Sequence, residues 1–122
     1  MNLDKAREAQ LDAVFGALAD STRRAILARL AEGEANVAEL AAPLPISQPA
    51  VSKHLKVLES AGLITRTSRA TARLSHLRAE PLRQATDWLG NYRHFWDESY
   101  RRLDALVAKL TEPAQKGTDH GN

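Results

Sequence analysis

The chain has no cysteine among its 122 residues. Disulfides, thiolate metal sites, thiol redox switches and cysteine nucleophiles are excluded together, because each needs a sulfur atom. No apolar run approaches the roughly 18 residues needed to cross a bilayer. The opening stretch, MNLDKAREAQ, has no apolar segment behind a basic start of the kind that directs secretion. A cytoplasmic chain without membrane contact is expected. Aromatics are scarce, six in all, and five of them fall from Trp88 to Tyr100. No Gly-rich phosphate loop and no strand-to-helix nucleophile elbow frames the serines. Ser21 and Ser47 fit helix starts instead, so no catalytic residue, no enzymatic activity and no cofactor are expected.

What is present describes one domain. A hydrophobic content of 43% with 26% charged residues is that of a soluble globular chain. We expect one domain over residues 1–112 and a disordered tail over 113–122, since EPAQKGTDHGN has no apolar anchor. The net charge is only +2, but it is unevenly spread. Residues 1–46 carry five Lys/Arg against seven Asp/Glu, and residues 79–122 carry six against seven. The block 47–78 carries six (Lys53, Lys56, Arg66, Arg69, Arg73, Arg78) against the single acid Glu59. Such a basic block is the electrostatic footprint of a surface that meets a polyanion, although a solvated basic face has the same composition.

Spacing places the elements. Leu11, Val14, Phe15 and Leu18 line one face of a helix from about Leu3 to Ala19. Asp20 can cap a second helix, with Ile26, Leu27 and Leu30 on its buried side and Gly33 at its left-handed end. Asn36 and Glu39 have the spacing of a capping box, and a short helix from Val37 to Ala42 follows, stopped by Pro43 and Pro45. Ser47 then caps a helix from Gln48 to Ala61, with Gly62 beyond its end.

That fourth helix has two faces. Val51, Leu55 and Leu58 fall within about 60° of arc, with Gln48, Pro49, Ser52, Lys53 and Lys56 opposite. A three-turn helix behind a short helix and a tight turn is the helix-turn-helix layout, whose second helix enters the major groove of double-stranded DNA. Ser52 allows close approach, Gln48 can pair with adenine, and Lys53 and Lys56 can reach phosphates or guanine. Leu63 to Leu77 reads as two strands turning at Ala70 and Thr71. Arg66, Arg69 and Arg73 decorate this hairpin, which makes it a wing placed to follow the sugar–phosphate backbone or the minor groove, with Thr71 at its tip.

The last helix is predicted to run from Glu80-Pro81 to Thr111 without a break, Gly90 costing about 1 kcal/mol but not interrupting it. Leu82, Ala85, Leu89, Tyr92, Trp96, Ser99, Leu103, Leu106 and Leu110 are spaced by alternating threes and fours. That is a heptad seam, and it asks for a partner helix. A homodimer is expected, pairing this helix with the first helix and their symmetry mates through Leu11, Phe15, Leu89, Tyr92, Trp96, Leu103, Leu106 and Leu110. The fold class is therefore mainly α with a small β-hairpin, in the order α-α-α-α-β-β-α: a winged helix-turn-helix with a long C-terminal dimerisation helix.

The runs FGALADSTRRAILARL, VAELAAPLPISQPAVSKHLKVLESAGLITR and WLGNYRHFWDESYRRL resemble the ArsR family of winged helix-turn-helix repressors, in its subgroup without metal-binding cysteines. The resemblance covers roughly residues 10–110. It implies a homodimeric repressor that binds an inverted-repeat operator, with Ser47, Gln48, Pro49, Ser52 and Lys53 as contacts and Lys56 towards phosphate. Many relatives carry a glycine at the hairpin tip, where this chain has Ala70 and Thr71. Of the metal sites the resemblance brings to mind, one needs cysteines beside the fourth helix. The other needs an Asp and a His two apart on the last helix, and Asp87 is followed by Trp88 and Leu89. His94, Asp97 and Glu98 share a helix face and read as solvated polar residues rather than a metal site. His54 lies towards the apolar side of its helix, His76 has no donor near it in sequence, and His120 is in the tail. A second reading of the whole is a winged helix that binds acidic protein rather than DNA.

Overall fold

A computed structural model describes residues 2–115 of the chain. They fall into two compact units, one ending at Asp87 and the other starting at Trp88. In the first unit α1 (Asn2–Leu18) is followed by α2 (Ser21–Leu30), α3 (Val37–Ala41) and α4 (Gln48–Ser60). An antiparallel hairpin of β1 (Ile64–Arg69) and β2 (Ala72–Leu77) comes next, then α5 (Glu80–Leu89). The expected order of helices and hairpin is the one observed.

One core serves these elements. Val14 and Ala17 of α1, Ile26, Leu27 and Leu30 of α2, Leu40 of α3, Val51, Leu55 and Leu58 of α4, Leu63, Ile64 of β1 and Ala85 of α5 are all buried. Truncating any of the buried leucines to alanine removes contacts worth about 2–5 kcal/mol, because a close-packed interior collapses only partly around a void.

The helix ends show why the chain turns where it does. Asp20 accepts from the Arg23 N–H at 3.0 Å and starts α2. At α3 the capping box is complete: Glu39 N–H donates to Asn36 Oδ1 at 2.8 Å and Asn36 N–H donates to Glu39 Oε1 at 2.9 Å. Ser47 Oγ accepts from Ala50 N–H at the start of α4. The end of α4 is a Schellman turn, with Leu63 N–H donating to Leu58 O, Gly62 N–H donating to Glu59 O, and Gly62 at φ +81°. Leu58 and Leu63, the two positions that commonly carry an apolar contact in this turn, are both fully buried in the core.

Two expectations need correction. Gly33 is not the residue that directly ends α2: the C-cap is Ala31, and Gly33 lies two residues beyond it, at φ +149°. The chain leaves α2 through single-turn bonds from Glu32 N–H to Arg29 O and from Gly33 N–H to Leu30 O, so the glycine serves the loop and not the cap. The last helix is also not continuous. After α5 the residues Gly90–Tyr92 form a 3-10 turn, and α6 (Arg93–Gln115) follows. Gly90 and Asn91 are both weak helix formers, one for its backbone freedom and the other for a side chain that competes for backbone groups. Together they let the ladder tighten where a lone glycine was expected to be tolerated. The expected tail lies outside the described residues from position 116 onwards.

In the second unit the rings of Trp88 and Tyr92 lie 5.4 Å apart and those of Tyr92 and Phe95 6.4 Å apart. No helix among the described residues is long and apolar enough to cross a membrane.

Candidate nucleic-acid interface

The burial of Val51, Leu55 and Leu58 fixes which side of α4 faces out. Gln48, Pro49, Lys53 and Lys56 are exposed there, Ser52 is half-buried, and Ser47 is exposed at the cap. Pro49 sits in the first turn, where its missing N–H costs no intrahelical bond. The face is rigid for a second reason. Arg23 of α2 places Nη1 3.3 Å from His54 Nδ1, on the flank of α4. The same guanidinium donates from Nε to Ala17 O at 2.8 Å and from Nη2 to Gly16 O at 3.2 Å, while Arg24 donates to Leu18 O at 2.7 Å. These are carbonyls of the last turn of α1, which have no partner within their own helix. Two adjacent arginines therefore cap one helix, and the first also steadies α4.

The hairpin stands beside α4 in sequence and shares its core through Leu63 and Ile64. Arg69 pairs with Ala72 in the strand register, which leaves Ala70 and Thr71 as a two-residue loop. Ala70 has φ +56° and Thr71 is not in the positive region, the sign pattern of a II′ turn, where glycine is the usual first residue. The hairpin is tied to the α2–α3 loop by paired backbone bonds between Ala35 and Ser75, of 3.2 and 2.9 Å.

The cations of the basic block divide into two groups. Lys53, Lys56, Arg73 and Arg78 make no ion pair among the described residues, and all four are exposed. Arg69, also exposed, has Nη1 3.6 Å from Glu34 Oε2. Arg66 does not join the exposed set: its side chain is only 10% exposed, and its Nε lies 3.4 Å from Glu59 Oε1. Glu59 was visible in the sequence as the one acid of the block. Glu34 was not, because it comes from a loop 35 residues upstream of Arg69 and no local pattern joins them. The same loop supplies a partner for His76, whose Nδ1 is 3.4 Å from Glu34 Oε1 and whose Nε2 is 2.8 Å from Thr67 Oγ1. The Asp20 carboxyl is held below its ordinary value. The Arg23 N–H bond lowers it most, partial desolvation opposes, and the Thr22 N–H and the Arg23 and His54 charges add to the lowering.

The residues expected at a subunit contact also divide. Leu11 and Phe15 are half-buried and pack against the core of their own unit, as does Leu82. Leu89, Tyr92, Trp96, Leu103, Leu106 and Leu110 are exposed, Leu110 by 75%. On α6, Asp97 has Oδ2 3.6 Å from Arg93 Nε, and the His94 ring lies 4.2 Å from that of Phe95.

Residues 18–67 match a family described as a helix-turn-helix domain. The HTH-type transcriptional regulator Rv2034 of Mycobacterium tuberculosis is 53% identical over 66 residues, 54% of this chain and 62% of the relative. The chain thus spans less than two thirds of that relative's length. The transcriptional repressor SdpR of Bacillus subtilis is 32% identical over 79 residues, covering 65% of this chain and 88% of the repressor. Among solved structures, the crystal structure of an ArsR family transcriptional regulator is 38% identical with a TM-score of 0.67, over 74% of this chain and 93% of that one.

Proposed function

This chain belongs to the ArsR family of winged helix-turn-helix transcriptional regulators, and from that premise we propose that it is a homodimeric repressor of an inverted-repeat operator. The observation that carries the proposal is the outer face of α4. Its two lysines are exposed and make no ion pair among the described residues, over an opposite face that is fully buried. A cation with no internal partner in a rigid helix is available to a phosphate, and each one engaged releases a counterion.

In this reading α4 lies in the major groove. Ser47, Gln48, Pro49, Ser52 and Lys53 meet base edges or the adjoining sugar–phosphate, and Lys56 takes a phosphate. Arg69, Thr71 and Arg73 set the wing on the backbone or in the minor groove. Arg69 exchanges a solvated pair with Glu34, worth little in water, for a phosphate contact.

The dimer rests on the second unit. Leu103, Leu106 and Leu110 are more than half exposed, a run of apolar surface that water disfavours at about 25 cal/mol per Å². We place them, with Leu89, Tyr92 and Trp96, at the contact with a second copy, and Leu11 and Phe15 at its edge. Two reading heads then stand at a fixed spacing, which a cytoplasmic repressor needs in order to prefer a palindrome. The test is binding to duplexes with two half-sites at varied separation. Tight binding only at a centre-to-centre spacing of about one helical turn supports the reading, and equal binding at every spacing refutes it.

A further inference from the structure

Arg66 and Glu59 face each other across the joint between α4 and β1. Six residues separate them, and among these lies the Schellman turn at Gly62, φ +81°. The Arg66 side chain is nine-tenths buried, and its Nε is shielded from water without making a hydrogen bond. At 3.4 Å from Glu59 Oε1 the contact is an ion pair, longer than the about 2.7–2.9 Å of a charge-assisted hydrogen bond. Glu59 is doubly misplaced on its own. It sits in the last turn of a helix, where the dipole favours a cation, and it is the one acid in a block that meets a polyanion. An arginine held against it removes both penalties.

We propose that Arg66 is a positioning residue for DNA binding and not a phosphate contact: with Glu59 it braces the wing's first strand against the recognition helix, so that both meet the duplex in one register. This rests on the reading of the chain as a DNA-binding regulator. The pair adds a polar tie to a joint otherwise held by the shared core at Leu63 and Ile64 and by backbone bonds around a glycine. Removing Glu59 leaves Arg66 unpaired in a place that water reaches poorly, and removing Arg66 leaves the exposed Glu59 uncompensated at the helix end; either change loosens the angle between helix and wing.

The two roles differ in what they do to binding in salt. Operator affinity is measured from about 50 to 200 mM salt for the unaltered chain, Arg66→Gln, Arg66→Lys, Glu59→Gln and the exchanged pair Glu59→Arg with Arg66→Glu. A brace predicts that Arg66→Gln and Glu59→Gln each weaken binding about tenfold with the salt slope unchanged, and that Arg66→Lys and the exchanged pair recover most of the loss. Weakening by Glu59→Gln is the telling result, because deleting a negative charge beside a polyanion should by itself tighten binding. A salt slope reduced by about 0.9 per protomer in Arg66→Gln, or tighter binding by Glu59→Gln, overturns the proposal in favour of a direct phosphate contact. Urea unfolding of the same set, followed by circular dichroism without DNA, decides the pair independently. Non-additive effects at positions 59 and 66 support the brace and additive ones overturn it. If the unaltered chain binds no duplex the functional reading falls, and this unfolding cycle still decides whether the two residues act as one.

Discussion

Arg23 of α2 and His54 of α4, 31 residues apart, meet with Nη1 3.3 Å from Nδ1. A guanidinium only donates, so in this contact His54 Nδ1 is the acceptor. Because the same guanidinium also binds Gly16 O and Ala17 O, one side chain joins the end of α1, the start of α2 and the flank of α4.

Removing that side chain should therefore destabilise the first unit well beyond an ordinary surface change. Arg23→Ala is expected to cost about 1–3 kcal/mol, since it takes the side-chain donor from the Ala17 carbonyl and from an imidazole nitrogen in a part-buried site. Arg23→Lys should recover less than half, because one ammonium cannot span the same acceptors as the planar fork. Urea unfolding measures both, and a midpoint unchanged by Arg23→Ala contradicts this role.

Asp20 gives the acid limb of stability a specific source. Its carboxyl is held below the ordinary value of 3.8 chiefly by the Arg23 N–H bond. A depressed folded value means that the unfolded chain takes up the proton first. The stabilisation is therefore present above the ordinary value and is lost as pH falls through the lower folded one. Asp20→Asn keeps a cap that does not titrate. It should reduce the drop in stability as pH falls through the ordinary value of 3.8 and below, and an identical pH profile contradicts the assignment.

The hairpin tip carries a residue its backbone does not favour. Ala70 at φ +56° is in the region where a Cβ crowds the carbonyl, at a cost of about 1–2 kcal/mol. Ala70→Gly should therefore stabilise the chain, by up to about 1 kcal/mol after the extra entropy of glycine in the unfolded state is deducted. Thermal unfolding checks the sign, and a lower midpoint would show that the turn does not hold Ala70 in strain.

Base reading and phosphate binding separate on the outer face of α4. Gln48→Ala should narrow the gap between operator and unrelated DNA, at about 1–3 kcal/mol for a lost bidentate pair. Lys56→Ala should weaken binding to every sequence alike and lower the salt slope by about 0.9 per protomer. Competition binding against scrambled duplexes reads both, and equal loss of specificity from the two contradicts the division of roles.

Much of this was legible in the chain itself, where the signal was local. The cap at Ser47, the box at Asn36 and Glu39, the one-sided burial of Val51, Leu55 and Leu58 and the Gly62 stop each lie within one helical span, where residue type and spacing reveal them. What escaped was set by contacts between distant segments. Neither the Arg23–His54 link nor the Glu34 clasp on Arg69 and His76 leaves a pattern in sequence. The basic block looked uniformly available because counting charges cannot tell the buried Arg66 from the exposed Arg73. The 3-10 turn at Gly90–Tyr92 escaped for a different reason: two weak helix formers in succession act together, where each alone is tolerated.

The account stands or falls on two copies of this chain gripping one duplex largely through phosphates. Sedimentation equilibrium with a duplex from the chain's own promoter region, repeated at about 50 and 200 mM salt, measures stoichiometry and ionic dependence together. The prediction is two chains per operator site, with affinity falling by orders of magnitude across that range. A single chain per site, or an affinity indifferent to salt, contradicts it.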